Sequence, residues 1–208
     1  MTTDESDGGS ADESDGEGRD TGGGLALRVA VIIGSTREGR VGDAVGRWFM
    51  EQAEDRSELD LAVLDLADYD FPVHYPVRAT GQMTEFTEEI ARAEAFVVVT
   101  PEYNRSFPAS LKQAIDFAYE EWQTKPVAFV SYGHGSAGLY AVEQLRSVFT
   151  ELHTVTLRNG VALDLLRQPL DGHPGDTGRD RSVGLMLDQL GWWGRALREA
   201  RAVRPYVS

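Results

Sequence analysis

The feature that most constrains the fold of this chain is a regular alternation of short apolar runs with segments of helical periodicity. Short apolar runs bounded by turn residues are typical of strands that are buried on both faces of a sheet. Strands that alternate with helices predict a parallel sheet with right-handed crossovers. The predicted strands are 28–33, 59–66, 96–100, 126–132 and 153–157.

Five such strands fit one α/β domain at residues 25–208, with a flavodoxin-like three-layer fold and a five-stranded parallel sheet in the order 2-1-3-4-5. Between the strands, a plausible Thr84 cap predicts that the second helix begins at Glu85. Proline and glycine predict loops at 71–81 and 163–178. The predicted helices are 41–55, 85–95, 108–117, 139–152 and 181–202.

Charge is concentrated at the start of the chain. Residues 1–24 carry eight acidic residues and one arginine, a formal charge of −7 out of −14, and they have no large apolar residue. Such a segment cannot offset its ordering entropy by burial, so we predict a disordered acidic tail. An acidic body argues against nucleic-acid binding. Only two of the 20 basic residues are lysines. This composition suits a halophilic source, or else an acidic protein with high-GC codon bias.

Three absences predict where the protein resides and which chemistry it lacks. The chain has no cysteine, which excludes disulfides and thiolate catalysis. It has no apolar run of the roughly 20 residues needed to cross a bilayer, and its first residues lack a signal-peptide pattern. We therefore expect a cytoplasmic protein without a membrane partner. The four histidines are scattered, so we expect no metal site.

The loop after the first strand, GSTREGRVG at 34–42, places hydroxyls, arginines and glycines at the entrance to a helix. Backbone N–H groups at a helix N-terminus bind anions. Ser35 and Thr36 add hydroxyl donors, and Arg37 and Arg40 add charge with forked geometry. The loop matches neither an ATP-type P-loop nor the dinucleotide pattern G-x-G-x-x-G. It predicts a site for a terminal phosphate; the alternative is a turn and helix cap with surface arginines.

Two further loops follow the third and fourth strands, at the edge where open α/β sheets bind ligands. The first, TPEYNRSFPASLKQAID at 100–116, presents Tyr103, Asn104 and Ser106. The second, SYGHGSAG at 131–138, contains His134 and three glycines that let the backbone approach a ligand closely. Together they suit a flat heteroaromatic ring. The alternatives are an ordinary connection over the core, tight-turn glycines and an exposed histidine without a role.

The segments 34–42, 100–116 and 131–146 resemble the NADPH-dependent FMN reductase family of flavodoxin-like proteins, in order and spacing over residues 28–160. The resemblance implies an enzyme that passes hydride from NADPH or NADH to bound FMN, and on to a flavin, quinone or similar small-molecule acceptor. The cofactor carries this chemistry, so we expect no catalytic side chain. The alternatives are a flavodoxin-like FMN electron carrier for a protein partner and a domain that has lost its flavin.

The resemblance also implies a set of cofactor-binding residues and an oligomeric state. Where the family usually has Gly-Gly followed by Arg, this chain has AGLY at 137–140, so the resemblance is weaker for the nicotinamide or substrate side than for the phosphate side. Family members imply a homodimer or homotetramer. Trp192 and Trp193 of the closing helix suit a subunit interface, although core packing is the favoured interpretation. The implied residues are Ser35, Thr36, Arg37 and Arg40 for the phosphate, Pro101, Glu102, Tyr103, Asn104 and Ser106 for the ribityl chain and ring, and Ser131, Gly133 and His134 for the far side of the ring.

Overall fold

A computed structural model describes residues 25–167, 170 and 177–207, in which a parallel sheet is covered by helices on both faces. The strand order β2-β1-β3-β4-β5 is the predicted one, which confirms the flavodoxin-like α/β architecture. The segment 1–24, predicted to be a disordered tail, lies outside the described residues. The strands are β1 (Leu27–Ile33), β2 (Leu59–Asp65), β3 (Ala95–Pro101), β4 (Pro126–Gly133), β5 (Val155–Thr156) and β6 (Val161–Asp164).

The sixth strand was not predicted, because the fifth position of the sheet is divided between two short strands. β5 pairs with the start of β4, and β6 pairs with its end, from Val130 to Gly133. Between them the chain passes close to β4: a Cβ on Gly160 would lie 2.7 Å from the carbonyl oxygen of Phe129. The predicted loop 163–178 is therefore wrong at Leu163 and Asp164, and it is also wrong at Thr177 and Gly178, where the last helix has begun. Within that range, 168, 169 and 171–176 lie outside the described residues.

The helices follow the predicted order, with one clear correction. We predicted that Thr84 caps the second helix, but that helix begins at Gly81 and its cap is Thr80, which accepts a hydrogen bond from the Met83 amide at 3.3 Å. An earlier start is favoured because Met83 is buried with the rest of the apolar face of this helix. The helices are α1 (Gly42–Gln52), α2 (Gly81–Arg92), α3 (Ala109–Asp116), α4 (Leu139–Glu151) and α5 (Thr177–Val203).

Two hydrophobic clusters, one on each face of the sheet, hold the layers together. The central strand β3 is buried at every position, and its successive residues alternate between the clusters. One cluster packs α1 and α5 against the sheet, and the other packs α2, α3 and α4. The prediction that Trp192 and Trp193 of α5 pack in the core is wrong, because their exposed fractions are 63% and 38%. The buried stripe of α5 consists instead of Val183, Met186, Leu187 and Leu190.

Candidate functional site

A pocket of about 780 Å³ opens at the carboxyl ends of β1, β3 and β4, where the strand order reverses. This is the position at which open α/β sheets bind ligands, and the volume is typical of small-molecule sites. The loops that follow these three strands form most of its wall, and the turn after β6 completes it. Its lining residues are Arg37, Glu38, Gly39, Arg40, Val41, Ala44, Pro101, Glu102, Tyr103, Tyr132, Gly133, His134, Ser136, Leu165 and Leu170.

Arg40 is held by an acidic partner at the end of the neighbouring strand. Its guanidinium donates to both carboxylate oxygens of Asp65, at 2.5 and 2.6 Å, and to the backbone oxygen of Ser35 at 2.6 Å. The hydrogen bond to Asp65 raises the pKa of Arg40 above its ordinary value. The side chains are only 17% and 15% exposed. Arg40 therefore fixes the shape of the loop, and Asp65 neutralises its charge.

Arg37, in contrast, is an uncompensated cation at the rim of the pocket. It is exposed, and within the described ranges its guanidinium forms no hydrogen bond or salt bridge. Its backbone oxygen accepts from the Arg40 amide at 3.1 Å, which closes a turn containing Gly39 at φ +66°. The following helix α1 has no side-chain cap at its N-terminus. This end of the pocket thus combines a free guanidinium with uncapped helix amides, which is a donor set for an anion.

The loop after β3 is a tight turn that sends its residues in two directions. Tyr103 and Ser106 exchange backbone hydrogen bonds at 2.7 and 3.0 Å, and the two residues between them have positive φ, as in type I′ turns. Tyr103 lies in the pocket wall. Asn104 is exposed at the turn, and Ser106 donates to Gln144 of α4 at 2.6 Å. Neither Asn104 nor Ser106 is among the residues that line the pocket.

Buried hydroxyl groups connect this turn with the first loop and with β4. The Ser35 hydroxyl is buried and lies 2.8 Å from the phenol oxygen of Tyr103, so the two form a hydrogen bond. Tyr132, the penultimate residue of β4, is also buried, and burial raises the pKa of its phenol above the ordinary value. Tyr132 therefore presents a neutral phenol beside Gly42, where the loop after β1 enters α1.

The glycine-rich segment after β4 is folded back on its own strand. Ser131 donates its hydroxyl to the Ala137 oxygen at 2.8 Å, and a Cβ on Gly138 would lie only 2.5 Å from the Ser131 Cβ. Gly138 has φ +84°, so both crowding and backbone conformation require glycine there. The resulting loop places Gly133 and the exposed His134 at the pocket.

Seven of the twelve predicted residues line the pocket: Arg37, Arg40, Pro101, Glu102, Tyr103, Gly133 and His134. Ser35 and Ser131 are buried, Thr36 and Asn104 are exposed, and Ser106 donates to Gln144. Tyr132 also lines the pocket and was not among the predicted residues, although its place at the end of the predicted strand 126–132 indicates the ligand edge of the sheet. Leu165 and Leu170 were missed as well, because no motif indicated them. Among the described residues no group of three or more His, Cys, Asp or Glu could hold a metal ion.

Fold and pocket together define a flavodoxin-like α/β protein with a ligand site at the switch point of its sheet. The chain belongs to the NADPH-dependent FMN reductase family, whose sequence model matches residues 27–166. Within the described part of the chain, no helix offers the length and hydropathy that a membrane crossing requires.

Two relatives and one solved structure illustrate the similarity. An NAD(P)H-dependent FMN reductase of Schizosaccharomyces pombe is 34% identical over 133 residues, which are 60% of this chain and 66% of that protein. A quinone reductase of Pseudomonas putida is 37% identical over 120 residues, 53% of this chain and 62% of that protein. The chain thus spans less than two thirds of either relative. The flavoenzyme NAD(P)H:(acceptor) oxidoreductase FerB of Paracoccus denitrificans shares the fold, with a TM-score of 0.70, 24% identity and coverage of 82% of this chain and 98% of FerB.

Proposed function

We propose that this protein binds FMN in the pocket and uses NADPH or NADH to reduce a small acceptor such as a flavin or a quinone. The observation that carries the proposal is that the two ends of the pocket differ, one being cationic and the other apolar. The chain also belongs to the NADPH-dependent FMN reductase family. One end offers the free guanidinium of Arg37, and the other is walled by aromatic and aliphatic side chains. FMN has the same polarity, with a dianionic phosphate at one end and a flat ring at the other.

The residues at the phosphate end fit the cofactor. Arg37 is free to form a charge-assisted pair, and the uncapped N-terminus of α1 adds backbone donors and the positive end of the helix dipole. The exposed Thr36 contributes its hydroxyl. Ser35 and Arg40 have side chains already engaged by Tyr103 and Asp65, so we assign them the task of holding the loop in its binding shape.

The residues at the ring end also fit. Tyr103, Leu165 and Leu170 provide apolar surface for an isoalloxazine ring. Gly133 contributes only backbone atoms to the pocket wall. We assign six further residues to the support of this end. Pro101, Glu102 and His134 lie in the pocket wall, Ser106 and Ser131 hold neighbouring segments through hydrogen bonds, and Asn104 is exposed at the turn after β3.

When bound, FMN supplies the hydride chemistry, accepting from the nicotinamide and donating to the acceptor. The protein contributes orientation and exclusion of water, and no side chain is required to act as a general base. Glu102 accepts a hydrogen bond from the Tyr140 amide at 3.1 Å, which fixes the start of α4 against the loop after β3. Acceptors that are planar and apolar, such as quinones, suit a pocket with this composition, and the P. putida relative is a quinone reductase.

The proposal is tested by purifying the full chain, reconstituting it with FMN and recording its visible spectrum. NADPH and NADH are then added, first without an acceptor and next with benzoquinone or free FMN. We expect bleaching by one or both nicotinamides and catalytic turnover with the quinone. A preparation that cannot bind FMN, or a loaded protein that oxidises neither nicotinamide with any acceptor, contradicts the proposal. A loaded protein that is reduced only by a partner protein supports the carrier alternative, which the family membership disfavours.

We also propose a cytoplasmic homodimer or homotetramer from a halophilic source, with small-molecule partners and no nucleic acid. The exposed pair Trp192 and Trp193 and the exposed Val73 and Tyr75 supply apolar surface for subunit contacts. Analytical ultracentrifugation tests the oligomer, and a monomer at micromolar concentration contradicts it. For the halophilic proposal, we expect the melting temperature to rise between 0.1 and roughly 2 M KCl, because salt screens the repulsion of the net charge of −14.

A further inference from the structure

Asp164, the last residue of β6, connects two parts of the pocket wall. One oxygen of its carboxylate accepts backbone hydrogen bonds from Gly135 at 3.1 Å and from Leu166 at 3.2 Å. Gly135 lies within the glycine-rich loop after β4, and Leu166 follows Leu165 of the pocket lining. The side chain of Asp164 is 15% exposed. A single carboxylate oxygen therefore holds the loop after β4 against the turn after β6.

Packing alone does not restrain the loop at this point. Gly135 has φ +85°, and a Cβ placed on it would meet no atom within 4 Å, so no side chain packs against this face of the residue. The strand pairing ends two residues earlier, where Gly133 lies opposite Asp164 and its oxygen accepts from the Leu165 amide at 3.1 Å. The residues on either side of Gly135, His134 and Ser136, both line the pocket. The side-chain hydrogen bond thus continues the restraint beyond the sheet.

The charge of Asp164 strengthens this contact. The hydrogen bond from Gly135 lowers the pKa of the carboxyl below its ordinary value, so Asp164 is ionised at neutral pH and its amide bonds are charge-assisted. Its other oxygen faces Arg167 at 3.4 Å, but the side chain of Arg167 is 83% exposed. Ion pairs exposed to solvent contribute little. The amide bonds, and not this ion pair, are the effective contacts of Asp164.

We propose that Asp164 is a positioning residue for the ring end of the cofactor site, acting through the loop 133–136. This inference rests on the proposed FMN-dependent function. Without the carboxylate the loop loses its fixed position, so FMN binds more weakly and its ring is less well aligned with the nicotinamide. Asp164 itself contacts neither cofactor nor substrate in this scheme.

The experiment compares Asp164→Ala with Asp164→Asn and Arg167→Ala. Asparagine keeps an oxygen that can accept the same two amide bonds, whereas Arg167→Ala removes the ion pair and leaves those bonds intact. For each protein we would measure FMN affinity by fluorescence titration, the rate of reduction by NADPH at saturating FMN, the melting temperature, and amide hydrogen exchange of the FMN-free protein over residues 133–138.

For Asp164→Ala we expect FMN affinity to fall about tenfold, because cofactor binding must then order the loop 133–136. Reduction at saturating FMN should be slower, and exchange over 133–138 faster. Asp164→Asn should restore most of the affinity and rate, and Arg167→Ala should stay within about twofold of the parent.

Unchanged affinity and reduction rate in Asp164→Ala would overturn the assignment. Equal losses in the Ala and Asn variants with a lowered melting temperature would also overturn it, because they indicate a general loss of stability. A parent protein that binds no FMN defeats the proposed function separately. The exchange measurement then decides the loop restraint alone, since unchanged exchange in Asp164→Ala refutes it.

Discussion

The sharpest test of the phosphate end of the pocket is the substitution Arg37→Ala. Arg37 lines the pocket and has no hydrogen-bonding or ionic partner in the described part of the chain, so its removal leaves no protein group unsatisfied. The folded protein should therefore keep its melting temperature. The loss should appear in FMN binding, because the guanidinium is free to pair with the phosphate.

The expected size of that loss follows from the exposure of Arg37. A hydrogen bond to a charged group contributes about 1.5–3 kcal/mol, which corresponds to a factor of about 10 to 150 in affinity. Because the Arg37 side chain is exposed, solvent screening places the effect at the lower end, about tenfold at physiological salt. The difference between parent and variant should narrow as KCl is raised, since the pair is screened.

The assay is quenching of FMN fluorescence on titration with apoprotein, at three or more salt concentrations. Arg47→Ala is the matched control: it removes the same charge one turn inside α1, from a side chain that is 68% exposed and paired with Asp43. The control should alter FMN affinity less than twofold. If Arg37→Ala binds FMN as tightly as the parent, or if the control loses as much, the phosphate does not bind at Arg37 and the polarity assigned to the pocket is wrong.

Three further predictions concern stability. Arg40→Ala should lower the free energy of unfolding by about 2–3 kcal/mol, because it leaves the mostly buried Asp65 without its cationic partner. Urea denaturation measures this free energy. A change below about 0.5 kcal/mol contradicts the structural role of the pair. Gly138→Ala should lower the free energy of unfolding by at least about 2 kcal/mol more than Gly135→Ala. Both glycines have positive φ, but only Gly138 is crowded by Ser131. Equal melting temperatures in the two variants would refute this interpretation of the loop. Lys125 is buried and donates to the oxygens of Ile90 and Ala91, and burial lowers its pKa from 10.5 to about 8. Between these values the unfolded chain binds more protons than the folded one, so stability should rise with pH across this window, by at most about 3 kcal/mol relative to Lys125→Met. Urea denaturation of both proteins at pH 7.5 and 10 measures the difference, and parallel pH dependences would contradict it.

The strand order could be predicted because the information for it is local. Each central strand is a run of apolar residues flanked by turn residues, and helical segments separate the runs, so connection rules leave few topologies. The same rules place the loops after β1, β3 and β4 at one edge. The predicted pocket therefore contains residues that are distant in sequence, such as Arg37 and Tyr103, and the structure brings them together.

The partners of individual side chains could not be predicted, because they depend on contacts between distant segments. Nothing near Arg40 in the sequence indicates that its guanidinium is engaged by Asp65, 25 positions later. Asn104 and Ser106 look equivalent to Tyr103 in the motif, but a turn with two positive φ angles separates their directions. In the same way, the short strand β6 depends on pairing with the end of β4, which supplies the hydrogen bonds that its own four residues cannot.

The alternation of apolar runs and helical segments by itself determined the parallel sheet, its order and the edge that carries the site. Hydropathy and periodicity are properties of each segment, so they can be identified without knowing any long-range contact. The tertiary structure alone decided that Arg37 is the free cation while Arg40 is neutralised, that Tyr132 and Leu165 complete the wall, and that Trp192 faces solvent. Those outcomes depend on which side chains compete for the same partner or the same buried space, and that competition exists only in the folded chain.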